Sequence, residues 1–282
     1  PIMPGEKGFV SAEYNPAHRP GKFTKTITVT SNSATPTVRL KITGNVIPKP
    51  LSIEEQYRYD FGGIRLKVNH LSFGTVYKGQ EKTKAIEIIN NSDSKKTIDI
   101  KNVPKHLKIN VLTPKLGPGE KGSIEVTYLS ELQPKWDFVM DRVNLLVDGE
   151  SISNNRLVIS ASLQEDFSAL TPEQKANAPK MIFDEKVFNF GKLNQGEKAE
   201  HTYTFVNKGK SDLIIRNVRA SCGCTAINTS SNLIKPGESG SIKATFNSSG
   251  KFGNQNKTIT LITNDPDHSR EILWIKGTVV KE

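Results

Sequence analysis

One five-residue turn occurs three times along the chain, as Pro4-Gly5-Glu6-Lys7-Gly8, Pro118-Gly119-Glu120-Lys121-Gly122 and Pro236-Gly237-Glu238-Ser239-Gly240. A turn that recurs with its surroundings marks copies of one structural unit. Pro presets φ at the first central position of a type II turn, and Gly accepts the positive φ at the second. Each turn therefore predicts a strand behind it. Apolar side chains follow at every second residue: Val10, Ala12 and Tyr14, then Ile124, Val126 and Tyr128, then Ile242, Ala244 and Phe246. That period of two is the pattern of a half-buried strand.

The copies agree beyond the turn. Lys25 to Asn32 is similar to Lys257 to Asn264, with Val143, Leu145 and Val147 between them in sequence, and each copy closes on a further strand, Leu40-Ile42-Gly44-Val46, Leu157-Ile159-Ala161 or Leu273-Ile275-Gly277-Val279. The second and third copies also share a first half. Phe73 matches Phe190 and Ile88 matches Phe205, both at a spacing of 117 residues, and Asn90-Asn91 and Asn207-Lys208-Gly209 end the matching strands with turn-forming residues. A full copy thus holds about six or seven short strands in roughly 100 residues, the size and rhythm of a two-sheet sandwich.

The expected fold class is all-β, with tandem immunoglobulin-like β-sandwich domains of which the first is only a rear half. The boundaries predicted are 1–48 for that half, 49–65 for a joint, 66–163 for an Ig-like domain, 164–180 for a linker and 181–282 for a second Ig-like domain. Left without its front half, residues 1–48 would present open strand edges. In the linker, Thr171-Pro172-Glu173-Gln174 predicts a short helix running to about Ala178. At the first joint the signals conflict: Ser52 and Glu55 imitate a capping box, while Tyr57, Tyr59 and Phe61 alternate as in a strand.

Two thiols one residue apart, Cys222 and Cys224, are the one constellation with chemical promise. They can face one soft metal ion, zinc or copper, or join as a strained, reducible disulfide. A metal needs further ligands, and His201, in phase with Tyr203 and Phe205, is the nearest candidate; Lys84 occupies that position in the second copy. The other reading is two partly buried thiols in a strand-edge bulge, with Gly223 supplying backbone freedom. The second copy has Val103 to Lys108 in that region and no cysteine, so folding does not depend on the pair. Nothing else resembles a catalytic set. There is no Gly-x-Ser-x-Gly elbow, His-Glu-x-x-His helix or phosphate-cradling loop. His18 and His268 fall in turns, His70 and His106 flank strands and read as surface residues, and Asp265 with Asp267 reads as an Asx-type turn. No cofactor is expected, and the protein is read as not an enzyme.

The net charge of +10 is spread over every segment without interleaved aromatics, which argues against nucleic acid as a partner. No stretch approaches the roughly 18 apolar residues of a membrane span, and Pro1 does not open a signal peptide, so any export signal is expected upstream.

The run Phe190-Gly191, Asn207-Lys208-Gly209, Ser221-Cys222-Gly223-Cys224-Thr225, Pro236-Gly237-Glu238 and Thr263-Asn264-Asp265-Pro266 resembles a bacterial family of exported proteins, domain of unknown function 1573, akin to the Ig-like sandwiches of major sperm protein and ASH domains. The resemblance covers residues 181–280 well, 66–163 partly and 1–48 as a rear half. It implies an Ig-like fold, a place in the periplasm or on the outer surface of a bacterial cell, often as a lipoprotein whose anchor lies upstream, and no established activity. The function expected is that of a non-enzymatic envelope scaffold or protein–protein interaction module whose partners are other proteins, engaged through edge strands. The alternative is a thiol-based metal or redox protein working through Cys222 and Cys224.

Overall fold

The structure is a computed structural model, described here for residues 2–151, 156–221 and 225–281. It divides into two compact units, 1–56 and 57–282.

In the first unit, β1 (Gly21–Thr30) and β2 (Thr37–Val46) form one antiparallel hairpin, followed by the one-turn helix α1 (Ile53–Gln56). Ser52 caps α1: its Oγ accepts the Glu55 amide at 3.2 Å, and Glu55 Oε2 accepts the Ser52 amide at 2.8 Å. Both signals at this joint are realised in sequence order, because the alternating residues after the helix enter a strand pair of the second unit.

That second unit begins with β3 (Tyr59–Phe61), β4 (Ile64–Leu66), β5 (His70–Tyr77), β6 (Glu81–Asn90), β7 (Lys96–Lys101), β8 (Leu107–Val111), β9 (Lys115–Leu116), β10 (Lys121–Leu129), β11 (Asp137–Val147), β12 (Glu150–Ser151) and β13 (Leu157–Gln164). They form two sheets, ordered β3-β4-β6-β10-β8 and β5-β13-β11-β7-β9, with β12 paired to β11. After α2 (Pro172–Ala176) come β14 (Met181–Phe183), β15 (Val187–Asn194), β16 (Lys198–Asn207), β17 (Leu213–Ala220), β18 (Thr225–Thr229), β19 (Leu233–Ile234), β20 (Ser239–Asn247), β21 (Gly253–Thr263) and β22 (Arg270–Val280). Their sheets run β14-β16-β20-β18 and β15-β22-β21-β17-β19. In each sandwich the alternate apolar residues of both sheets meet in one core, such as Ile88, Ile124, Leu145 and Ile159 in the first and Phe205, Ile242, Leu261 and Ile275 in the second. The parallel pairs β5-β13 and β15-β22 break the otherwise antiparallel pattern at the same place. This is the all-β, Ig-like architecture expected from the repeat. The linker helix α2 has the predicted capping box between Thr171 and Gln174 and ends two residues earlier than expected, at Ala176.

All three Pro-Gly turns are type II, with φ of 88°, 74° and 79° at Gly5, Gly119 and Gly237. The following Glu is the part of the repeat whose role the sequence hides. Its carboxylate folds back on the amide that opens the turn: Glu6 on Met3 at 3.1 Å, Glu120 on Gly117 at 2.7 Å and Glu238 on Lys235 at 2.9 Å. The same closure recurs without proline, where Glu197 accepts the Asn194 amide at 2.8 Å. In the two sandwiches the turn is also anchored from within. Asn90 and Asn207, both fully buried, end β6 and β16 and hold the turn through their main chains, with Gly119 N–H on Asn90 O and Gly237 N–H on Asn207 O, each at 2.8 Å.

Candidate functional site

The predicted strand at Val10, Ala12 and Tyr14 is not formed; residues 6–16 are irregular, and the ladder of the first unit holds only β1 and β2. The reason lies in its copy. In the third copy the matching strand β20 is paired on both sides, by β16 and by β18, and both precede the Pro-Gly turn in sequence. Residues 1–56 hold the counterpart of neither, and a strand sequence with no ladder to join has no partner for its amides and carbonyls.

The hairpin nevertheless keeps the register of a finished sandwich. Ile27 faces Leu40 and Lys25 faces Ile42, as Ile259 faces Leu273 and Lys257 faces Ile275. What is absent is the cover. Among the described residues of 2–56 none is buried. Val10 is 53% exposed where its counterpart Ile242 is 0%, and Leu40 is 40% exposed where Leu273 is 0%. Covering an aliphatic side chain of this size is worth about 1.5–3 kcal/mol. At one end the unit closes itself. Tyr14 stacks on Phe23 with centroids 3.8 Å apart, and Phe23 lies against Gly44, where an added Cβ would come within 2.7 Å of the ring. In the third copy the same place is filled by Phe190 of β15, which stacks on Phe246 at 5.2 Å and lies against Gly277.

Cys222 and Cys224 lie outside the described residues. His201, the candidate third ligand, stands on β16 facing Ala244 of β20. Its ring stacks on Phe188 at 4.3 Å and meets Tyr203 edge-on at 4.6 Å, and its Nε2 lies 2.9 Å from Glu185 Oε1 without hydrogen-bond alignment. Burial, reinforced by the Glu185 charge, pushes the Tyr203 hydroxyl up to about 12. Among the described residues no three His, Cys, Asp or Glu side chains converge as a metal site. His106, expected at the surface, is instead 8% exposed, with Nε2 2.8 Å from Asp141 Oδ2 and 2.9 Å from Gln133 Nε2. It precedes β8 and is held by β11, so the imidazole fills a polar gap in the middle sandwich. His70 bonds Ser160 Oγ at 2.8 Å, and Asp265 forms the expected Asx turn by accepting the Asp267 amide at 3.0 Å.

A second feature escaped the sequence. The two sandwiches are joined by side chains of β17, whose ladder slips by one residue at Arg216. This bulge turns Arg216 outward, 4.6 Å from the Trp136 ring centroid and 2.9 Å from Glu165 Oε2. Asn217 Nδ2 donates to Trp136 O at 3.1 Å. Beside them Asp137, 2% exposed and at φ 65°, takes Arg270 on Oδ1 at 2.6 Å and Arg219 at an ion-pair distance of 2.9 Å on Oδ2. The carboxylate is buried and the guanidiniums are partly exposed, and their charge-assisted contacts set how the two sandwiches meet.

No helix among the described residues is long and apolar enough to cross a membrane. No curated protein matches the chain significantly. A protein of unknown function from Porphyromonas gingivalis W83 shares the fold at a TM-score of 0.56 and 17% identity, over 77% of this chain and 100% of that one. An ASH/PapD-like domain of human CEP192 aligns at 15% identity and a TM-score of 0.31, over 42% of this chain and 99% of its own. The periplasmic chaperone SfaE aligns at 13% identity and a TM-score of 0.29, over 77% of this chain and 100% of its own. The profile of the family described as "Protein of unknown function (DUF1573)" matches residues 1–46 and 181–279, the first unit and the last sandwich, and passes over the middle one. Those two stretches make up slightly more than half of the sequence, and the chain belongs to the DUF1573 family.

Proposed function

We propose that the chain is a non-enzymatic, multi-domain Ig-like protein that works by holding other polypeptides at the bacterial envelope, in the periplasm or on the outer surface. The observation that carries this reading is the pair of Ig-like sandwiches joined through side chains, with Asp137 between Arg219 and Arg270 and Arg216 on Trp136. The joint between the two complete sandwiches supports a positioning role, since it opposes independent motion of the modules. The location rests on the resemblance to a family of exported proteins.

The test is retention of partner proteins from an envelope extract by the intact chain and by a Cys222→Ser/Cys224→Ser variant. The reading predicts that specific retention by the intact chain is kept in the variant. Retention that follows the cysteines instead would overturn it.

A further inference from the structure

In the last sandwich, the sheet β15-β22-β21-β17-β19 has an outer face turned away from the core. On β21 that face carries Asn254, Asn256, Thr258 and Thr260, a row of uncharged hydrogen-bonding groups about 20 Å long. The fold does not require them. In the same register the middle sandwich has Phe138 and Met140 where the third copy has Asn254 and Asn256.

At one end of the row lies an open hollow of about 460 Å³. Gly191, at the bulge of β15, and Gly277, pressed against the Phe190 ring, have no side chain to fill it. Asn189 Oδ1 accepts the Gly191 amide at 2.9 Å, and Asn254 Oδ1 accepts the Thr278 hydroxyl at 2.9 Å. These bonds orient both side chains and leave their Nδ2 groups, with the whole Asn256 amide, unpaired among the described residues. At the other end a hollow of about 360 Å³ is lined by Thr258, Thr260, Arg219 and Arg270. The two guanidiniums are nearly half exposed and share the single carboxylate of Asp137, so one positive charge is left over. Between the hollows stands Trp274, partly exposed and opposite Thr258. Lys276 Nζ lies 5.1 Å from its ring centroid, and the flexible lysine stem can yield the ring to a ligand.

β21 and β22 are interior strands paired on both sides, so no peptide strand can add to them. The row of amides and hydroxyls also lacks the apolar anchors of a protein interface centre. An asparagine amide both donates and accepts, as neighbouring sugar hydroxyls do; an indole offers an apolar surface to the C–H face of a sugar ring; a guanidinium holds a carboxylate or sulfate. Nothing on the two strands repels an anion: β21 has no acidic residue, and Glu271 of β22 is in phase with the core residues Leu273 and Ile275.

We propose that this face binds an acidic oligosaccharide, with Asn189, Asn254 and Asn256 on its hydroxyls, Trp274 against one ring, and Arg219 with Arg270 on its carboxylate or sulfate. This is a second class of ligand, separate from the protein contacts proposed above.

The experiment presents the full chain to an array of neutral, uronate-bearing, sialylated and sulfated oligosaccharides. The best-retained member is then titrated by calorimetry against the intact chain, Trp274→Ala and Asn256→Asp. Both substituted side chains lie outside the core, and melting followed by circular dichroism checks that the sandwiches stay folded. Retention of acid-bearing members is expected, with binding about tenfold weaker in each variant and about tenfold weaker for the same oligosaccharide with its carboxyl reduced or its sulfate removed. A uronate or sialate among the hits assigns a carboxylate to the guanidiniums, and a sulfated hit assigns a sulfate; either supports the inference. An array with no retained member, equal binding of the neutral form, or undiminished binding by both variants would overturn it. So would full displacement by polyglutamate at equal charge, which would make the face a general polyanion binder.

Discussion

Asn207 and Glu238 are tied in the third copy by a main-chain hydrogen bond of 3.0 Å, from the Asn207 amide to the carbonyl of the residue that closes the Pro-Gly turn. The Asn207 side chain completes the anchor. Its Nδ2 donates to Ser211 O at 2.8 Å and Ile234 O at 3.0 Å, and its Oδ1 accepts the amides of Gly209 at 3.0 Å and Lys180 at 3.1 Å. Asn90 does the same in the middle sandwich, bonding Ser94 O at 2.7 Å and Leu116 O at 2.9 Å.

Asn207→Ala should therefore deprive four main-chain groups of this partner, of which the Ile234 carbonyl alone meets it in a fully buried contact. A buried group left so costs about 1–3 kcal/mol, and a loss of that size is expected in thermal or denaturant unfolding of the third copy. A change under 1 kcal/mol would show that the anchor is not structural.

Gly209 lies beside that anchor for a different reason. An added Cβ would collide with the main chain of Ala178, Pro179 and Lys180, which cannot swing aside as a side chain can. Gly209→Ala should destabilise the third copy by about 2 kcal/mol, whereas Gly250→Ala, with open space around it, should act only through its φ of 68° and cost less. Equal melting temperatures for the two variants would contradict this.

The turns and the strand phases of the two sandwiches could be read from the sequence because they depend on local rules: Pro and Gly at a type II turn, period two on a half-buried face. The role of Asn207 could not, since asparagine after a strand signals a turn whether it is exposed or buried, and only the closed sandwich decides. The strand expected at Val10 to Tyr14 fails for the converse reason. Its local pattern is right, but a strand needs neighbours, and residues 1–56 hold no counterpart of β16 or β18. Asp137 and Arg216 gave no local signal because their partners lie in the other sandwich.

Asp137→Ala should uncouple the two sandwiches. Arg219 and Arg270 are nearly half exposed and can turn to water, so the expected loss is about 1–3 kcal/mol of coupling, read in calorimetry as separation of one unfolding transition into two. Asp137→Asn retains an acceptor and should fall between. A single unshifted transition in the alanine variant would contradict the joint.

Tyr203 sets an alkaline limit. Burial raises its ionisation to about 12, against about 10 in an unfolded chain. The neutral hydroxyl, which donates to Trp274 O at 2.8 Å, is the form the fold favours, so its contribution is complete below pH 10 and is lost as the pH rises towards 12. Burial raises Tyr128 as well, so ultraviolet titration should show late tyrosines in both sandwiches; the component that accompanies unfolding of the third copy is Tyr203, and Tyr203→Phe should remove it. A titration near 10 at this residue would contradict the buried geometry.

The most direct test of the account is site-specific photo-crosslinking in living cells, with benzoyl-phenylalanine in place of exposed side chains of the two sandwiches, Phe138, which is 47% exposed, and Phe252, which is 64% exposed. The account predicts discrete protein adducts that persist when Cys222 and Cys224 are both replaced by Ser. No protein adduct at either position, or adducts that vanish with the cysteines, would contradict the claim that this protein works by holding other polypeptides.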